Sequence, residues 1–245
     1  MGRLFAAAPW TDVPTLEVYE RQPGGGVFER FSWAYRDAGE LSEIVASVAE
    51  RPIGALATIE GPSGPPTCTL VIEPTMLLCT QGSHDMCCGR LGNELADTIA
   101  AERPGVVLRR VSHTGGHRFA PTLLALPSGR MWAWADLGLI DRIASNAETS
   151  ADLAAKCRGS LATQTGPAQV AEVAARIHWG VEPPETVTVA AGSSNSWTVR
   201  TSNDEVDVQV RTGRAIPTIA CESPGGQPIK VTTDYQWKIG DGPWI

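Results

Sequence analysis

The chain has 245 residues, 42% of them hydrophobic and 19% charged, so it can bury a substantial core in one large or two modest domains without disulfide staples. Its formal charge of -7, with 20 Lys and Arg scattered rather than clustered, leaves no stripe to neutralise phosphates and excludes nucleic acid as a partner. No apolar run is long enough to span a bilayer and the start is too short in apolar residues for a signal peptide; a cytoplasmic protein without a membrane partner is expected, its six Cys serving as thiols, metal ligands or redox groups.

In chain order, residues 1–32 hold several Pro and the run Gly24-Gly25-Gly26, which predicts an irregular arm or a loose hairpin. Leu41, Ile44, Val45 and Val48 share one helical face over 41–49, before Pro52 ends the helix. Residues 53–59 read as a strand, closed by the Gly and Pro of 61–66. Short apolar strands are expected at 68–72 and 76–79, the second delivering Cys79 at its end. A helix over 86–102 follows, with Leu91, Leu95 and Ile99 in a stripe, Asp85 as N-cap and Cys88 in its first turn.

A strand at 106–111 leads into the loop bearing His113, Gly115, Gly116 and His117. A hairpin is expected from 122–126 and 131–135 across Pro127-Ser128-Gly129-Arg130. Helices are expected at 151–158, capped by Ser150, and at 168–179, with Val170, Val173, Ala174 and Ile177 on one face. Beyond Pro183-Pro184 the chain is β-rich, with strands at 186–190, 196–201, 206–211 and 229–237. The fold class is therefore α/β, divided into an N-terminal arm and helix-strand segment packed on the core (1–66), a central domain (67–180) and a β-rich C-terminal extension (181–245).

Four side chains carry chemistry. Cys79 and Cys88 bracket a polar loop, and His113 and His117 close a glycine-containing one. Two thiolates and two imidazoles complete a first shell for one metal centre, and this mixture suits Zn, Cu or iron-sulfur. A thiol at a helix N-terminus meets unpaired N–H groups that favour the thiolate, and Thr114-Gly115-Gly116 lets the backbone wrap closely between the two imidazoles.

Three readings compete. Structural Zn accepts a Cys2His2 shell, but Zn loops usually separate paired Cys by two to four residues and here eight intervene. A thiol redox enzyme would use Cys87 next to Cys88, yet no C-x-x-C occurs and a disulfide between sequence neighbours is strained. A 2Fe-2S cluster, a wider object than one ion, suits the wide first loop best.

The stretch from Leu77 through Cys79, His84, Cys87, Cys88 and Gly92, followed by Ser112-His113-Thr114-Gly115-Gly116-His117-Arg118-Phe119-Ala120-Pro121 and Leu126-Pro127-Ser128-Gly129, closely resembles the sucrase/ferredoxin-like family. The likeness covers about 67–180, where Arg158-Gly159-Ser160 and Pro167-Ala168-Gln169-Val170 also match, and it is weaker in the tail. It implies a thioredoxin-like ferredoxin core and a 2Fe-2S cluster held by Cys79, Cys88, His113 and His117, the two His standing where all-Cys relatives have C-x-x-x-C. The family spacing favours Cys88 over Cys87 as the second thiolate.

Mixed ligation implies a higher potential than an all-Cys cluster: Rieske centres lie at roughly -150 to +300 mV against about -400 mV for plant-type ferredoxins. Electron uptake coupled to proton uptake at the imidazoles is expected. The chain then reads as an electron carrier for a redox protein partner rather than a self-sufficient enzyme, with a homodimer left open; the alternatives are a Zn-stabilised binding protein with the same ligands and a thiol redox enzyme using Cys87. Cys68, Cys157 and Cys221 are expected in the core, His84 in a solvated loop, and Trp132 and Trp134 on one face of a strand.

Overall fold

The computed structural model describes residues 3–8, 14–21, 28–82, 86–112, 114, 116, 119–161, 163, 165–180, 187–193, 195–219 and 228–245. Among these residues the class is mixed α/β, with three sheets of four, five and four strands.

The N-terminal region takes up the hairpin pairing given as one alternative and extends it into a sheet; it is not an irregular arm. Strands β1 (Arg3–Ala8), β2 (Thr15–Arg21), β3 (Phe28–Ala34) and β4 (Thr67–Leu70) pair antiparallel in that order. The expectation of irregularity failed because β2 is buried on both faces, which removes the period-two alternation that betrays a half-exposed strand. Leu16 and Val18 pack with Phe31, Trp33 and the Ile44–Val48 face of helix α1 (Ala38–Glu50), while Tyr19 and Phe28 point the opposite way into the central sheet. Glu17 lies on that second face. Burial opposes its ionisation, but hydrogen bonds from Arg109 Nε (2.7 Å) and Tyr19 Oη (2.7 Å) outweigh it and hold the carboxyl below its ordinary range.

Residues 53–59 are not a strand. Leu56–Thr58 forms a 3-10 turn that brings Leu56 and Ile59, three residues apart, into one core, and Trp33 Nε1 donates to the Ile59 carbonyl at 3.2 Å. Cys68, expected inside, is exposed on β4, the edge strand of its sheet.

The central sheet has the order β6-β5-β7-β8-β9, from β5 (Thr75–Cys79), β6 (Val107–Val111), β7 (Leu123–Leu126), β8 (Arg130–Trp132) and β9 (Cys157–Ser160). β5 and β6 are parallel, joined by a helical run from Met86 that continues as α2 (Asn93–Glu102); the other pairs are antiparallel. Met76 and Leu78 of β5 meet Ala96 and Ile99 of α2 on one face, and Leu77 meets Tyr19 and Phe28 on the other. The N-terminal sheet and the helices therefore cover opposite faces of the strand that ends in Cys79.

Sequence reading missed one helix. α3 (Leu137–Ala144) is capped by Asp136, whose side chain accepts from Leu139 N, and it buries Leu139, Ile140 and Ile143. α4 (Ser150–Lys156) starts from Thr149, not Ser150, in a capping box with Asp152. It stops before residue 157 because Cys157 pairs with Trp132 as the first residue of β9. Trp132 and Trp134 do not share a face: β8 ends at Trp132, which is fully buried, and Trp134 has φ 48° and stands 49% exposed.

Helix α5 (Gly166–Trp179) buries Ala168, Ala171, Ala174, Ala175, Glu172 and Arg176; of the four residues expected to form its core face, Ala174 alone is fully buried. Its small residues lie against the tail sheet, formed by β10 (Thr188–Ala191), β11 (Ser196–Arg200), β12 (Glu205–Ile219) and β13 (Pro228–Ile239). The buried carboxylate of Glu172 accepts from Thr163 Oγ1 (2.6 Å), Ser160 Oγ (2.9 Å) and Arg176 Nη2 (3.1 Å), which satisfies it against β9.

Candidate metal centre

Cys79 ends β5 with 2% of its surface exposed, and Cys88 enters the helical run with the same burial. Two glycines bring them together. A Cβ on Gly89 would lie 2.5 Å from the Gly82 Cα, and one on Gly92 only 2.1 Å from the Cys79 carbonyl oxygen, so backbone rests directly on backbone. The helix is widened to an i→i+5 turn over Cys88–Gly92, a distortion common at functional sites. Asn93 fixes the junction, since its Nδ2 donates to the carbonyls of Thr80 (3.2 Å) and Gly89 (2.5 Å) while Arg110 donates to its Oδ1.

The thiol of Cys79 is pulled down to about 5 from an ordinary 9.0, chiefly by a hydrogen bond from Cys88. Burial opposes the shift, and the backbone N–H groups of Gln81 and Thr114 and the hydroxyl of Thr122 add to it. These donors favour the thiolate at Cys79, with the Cys88 thiol as its partner. Cys87 is only partly buried.

His113 and His117 lie outside the described residues, as do His84, Asp85, Arg118 and Cys221. Positions flanking the two candidate histidines are described. Ser112 O sits 3.7 Å from Cys79 Sγ, and the Thr114 N–H bonds the same sulfur. Thr114 Oγ1 lies 2.5 Å from Thr122 Oγ1, which is 3.9 Å from Cys88 Sγ. Gly116 adopts φ +84°, and a Cβ there would lie 2.8 Å from the Arg158 guanidinium. The close approach expected of this glycine loop is thus one to Arg158, which also lies over the Phe119 ring at 4.5 Å; Phe119 meets Trp134 edge to face at 5.4 Å.

Among the described residues no three His, Cys, Asp or Glu side chains group as a metal shell, and Cys79 and Cys88 are the two expected ligands the structure brings together. Sequence reading missed Thr122, Thr114, Asn93 and Arg158. No local pattern marks the first: it reaches the cysteines because Leu78 pairs with Leu123, which sets Thr122 opposite Cys79, whose N–H donates to the Thr122 carbonyl at 3.0 Å.

Cys157 stands apart from this site. It is half-buried as a residue, yet it packs against the core around Trp132, and burial pushes its thiol up to about 12. Native protein at pH 8 is expected to be alkylated at exposed Cys68 and spared at Cys157, with peptide mass mapping as the readout. Because the folded thiol resists ionisation, its contribution to stability is constant below pH 9 and is lost as pH rises towards 12. Rapid labelling of Cys157 before unfolding would contradict the burial.

A family model described as Sucrase/ferredoxin-like matches residues 14–159, more than half of the chain, taking in β2 to β4, the cysteine pair, the 113–117 loop and Arg158. Searches of curated proteins and of solved structures returned no match.

Proposed function

We propose that this chain, which belongs to the sucrase/ferredoxin-like family, is an electron carrier that binds one 2Fe-2S cluster through Cys79, Cys88, His113 and His117. The observation that carries the reading is the buried Cys79–Cys88 pair, a thiolate and a thiol in hydrogen-bond contact, with both chain neighbours of His113 bonded to or beside the Cys79 sulfur. Soft, deprotonated sulfur beside an imidazole-bearing loop fits a mixed-ligand iron-sulfur centre. The parallel β5–α2–β6 crossover followed by the β7–β8 hairpin supports a thioredoxin-like ferredoxin core over 67–180, flanked by the segments 1–66 and 181–245.

When bound, the cluster takes up and releases one electron. The protein's own part is to hold two sulfurs out of water, with Gln81, Thr114 and Thr122 donating to them, and to place Cys88 rather than half-buried Cys87 against Cys79. Each liganding imidazole keeps a second ring N–H that can release a proton, so the potential falls as pH rises. The partner is a redox protein in the cytoplasm, a compartment that keeps such thiols reduced. Among the described residues no helix is long and apolar enough to cross a membrane.

The test is a visible absorption and reduced-state EPR spectrum of anaerobically purified protein, compared with His113→Cys. A brown protein with a Rieske-like signal, whose potential drops in His113→Cys, is the expected result. A colourless protein with stoichiometric zinc overturns electron transfer.

A further inference from the structure

We propose that Thr122 is a positioning residue of the candidate centre: its buried hydroxyl donates to the cysteine sulfurs, and Thr114 holds it in that direction. The inference rests on the electron-transfer reading and deepens it by assigning what sets the potential. Thr122 is 1% exposed, and its backbone is fixed opposite Cys79 by the 3.0 Å bond from the Cys79 N–H.

A threonine hydroxyl has one hydrogen to give and two lone pairs to receive. Thr122 Oγ1 faces Thr114 Oγ1 at 2.5 Å and Cys88 Sγ at 3.9 Å, and its hydroxyl also reaches the Cys79 sulfur. If Thr122 spent its hydrogen on Thr114, the buried sulfurs would lose the Thr122 hydroxyl as a donor beside the backbone N–H groups of Gln81 and Thr114. With Thr114 donating to Thr122, the Thr122 hydrogen is left for sulfur and every polar atom in the chain of contacts is used. Thr114 is half-buried and can take a further partner at its own lone pairs.

The consequence is redox tuning. Adding an electron increases negative charge on the ligating sulfurs, and a fixed donor stabilises that state more than the oxidised one, which raises the potential.

The experiment is a redox titration of the holoprotein in wild type, Thr122→Val, Thr122→Ser and Thr114→Val, with iron and sulfide per chain determined for each. Thr122→Val keeps the shape and removes the hydroxyl; its reduction equilibrium against a fixed mediator is expected to fall roughly tenfold, about 59 mV for one electron. Thr122→Ser should stay close to wild type, and Thr114→Val should shift the same way as Thr122→Val by less. If Thr122→Val fails to assemble, retention of both cluster and potential in Thr122→Ser supports the role of the hydroxyl. Equal losses in Ser and Val overturn it, as does an unchanged potential in Thr122→Val. A colourless wild type overturns the electron-transfer reading and this inference together, whereas a coloured wild type indifferent to Thr122→Val overturns this inference alone.

Discussion

A Cys79→Ser variant is expected to fold and to lose the chromophore. The serine hydroxyl fits the space of the thiol and can still receive the backbone N–H groups of Gln81 and Thr114, so the end of β5 keeps its polar contacts. What disappears is the soft anionic donor. Oxygen at this position ionises far above neutral pH, and iron-sulfur chemistry depends on thiolate. Removing a residue that merely supports a ligand costs about 10–100-fold in metal affinity, so deleting the proposed ligand itself should exceed that range. Iron and sulfide per chain, visible absorption and far-UV circular dichroism measured together check the prediction. Cys87→Ser is the internal control, expected to stay coloured; a coloured Cys79→Ser would remove Cys79 from the centre.

Gly92→Ala is expected to destabilise the protein although alanine is the better helix former. The gain in propensity is about 1 kcal/mol. Against it, the new Cβ would lie 2.1 Å from the Cys79 carbonyl oxygen, 3.2 Å from its carbon and 3.4 Å from the Thr80 Cα. All three are backbone atoms of the strand end, held by β5 pairing to β6 and β7, so no side chain can rotate away. Overpacking of this kind costs typically 1–3 kcal/mol and occasionally more, and the clash here is severe enough to exceed the helical gain by about 2 kcal/mol or more. The helix would have to lift off the strand, which also parts Cys88 from Cys79. Urea midpoints at constant slope measure the stability, with Gly105→Ala as a control, since a Cβ at Gly105 meets nothing within 4 Å. A Gly92→Ala midpoint equal to that of wild type would show that the strand end yields easily.

The elements legible beforehand were those with one buried face. The stripe of Ile44 and Val48 marked α1, and Ile99 marked the helix after Cys88. Strand β5, buried on both faces, was the exception, marked by an apolar run that no charge interrupts, and the Pro127–Gly129 turn was visible because turn chemistry is written locally. Strand β2 was hidden by its double burial, with Glu17 and Glu20 interrupting an otherwise apolar run. α3 was hidden by its brevity and by Gly138. The strand expected at 53–59 failed because Leu56 and Ile59 answer to Trp33 in a distant strand, not to their neighbours.

The sequence by itself determined the family and the α/β class, and it singled out Cys79, Cys88, His113 and His117 as candidate ligands, because cysteine, histidine and glycine announce their chemistry through type and spacing. It also placed Cys79 at a strand end and Cys88 in a first helical turn. Only the tertiary structure decided which thiol faces which, in which direction the Cys79 thiol is shifted, and that Thr122 and Thr114 reach the cysteine sulfurs. Those facts depend on strand register and on two glycines letting a helix touch a strand. Register and backbone contact are relations between segments distant in sequence, and no local pattern of residues encodes them.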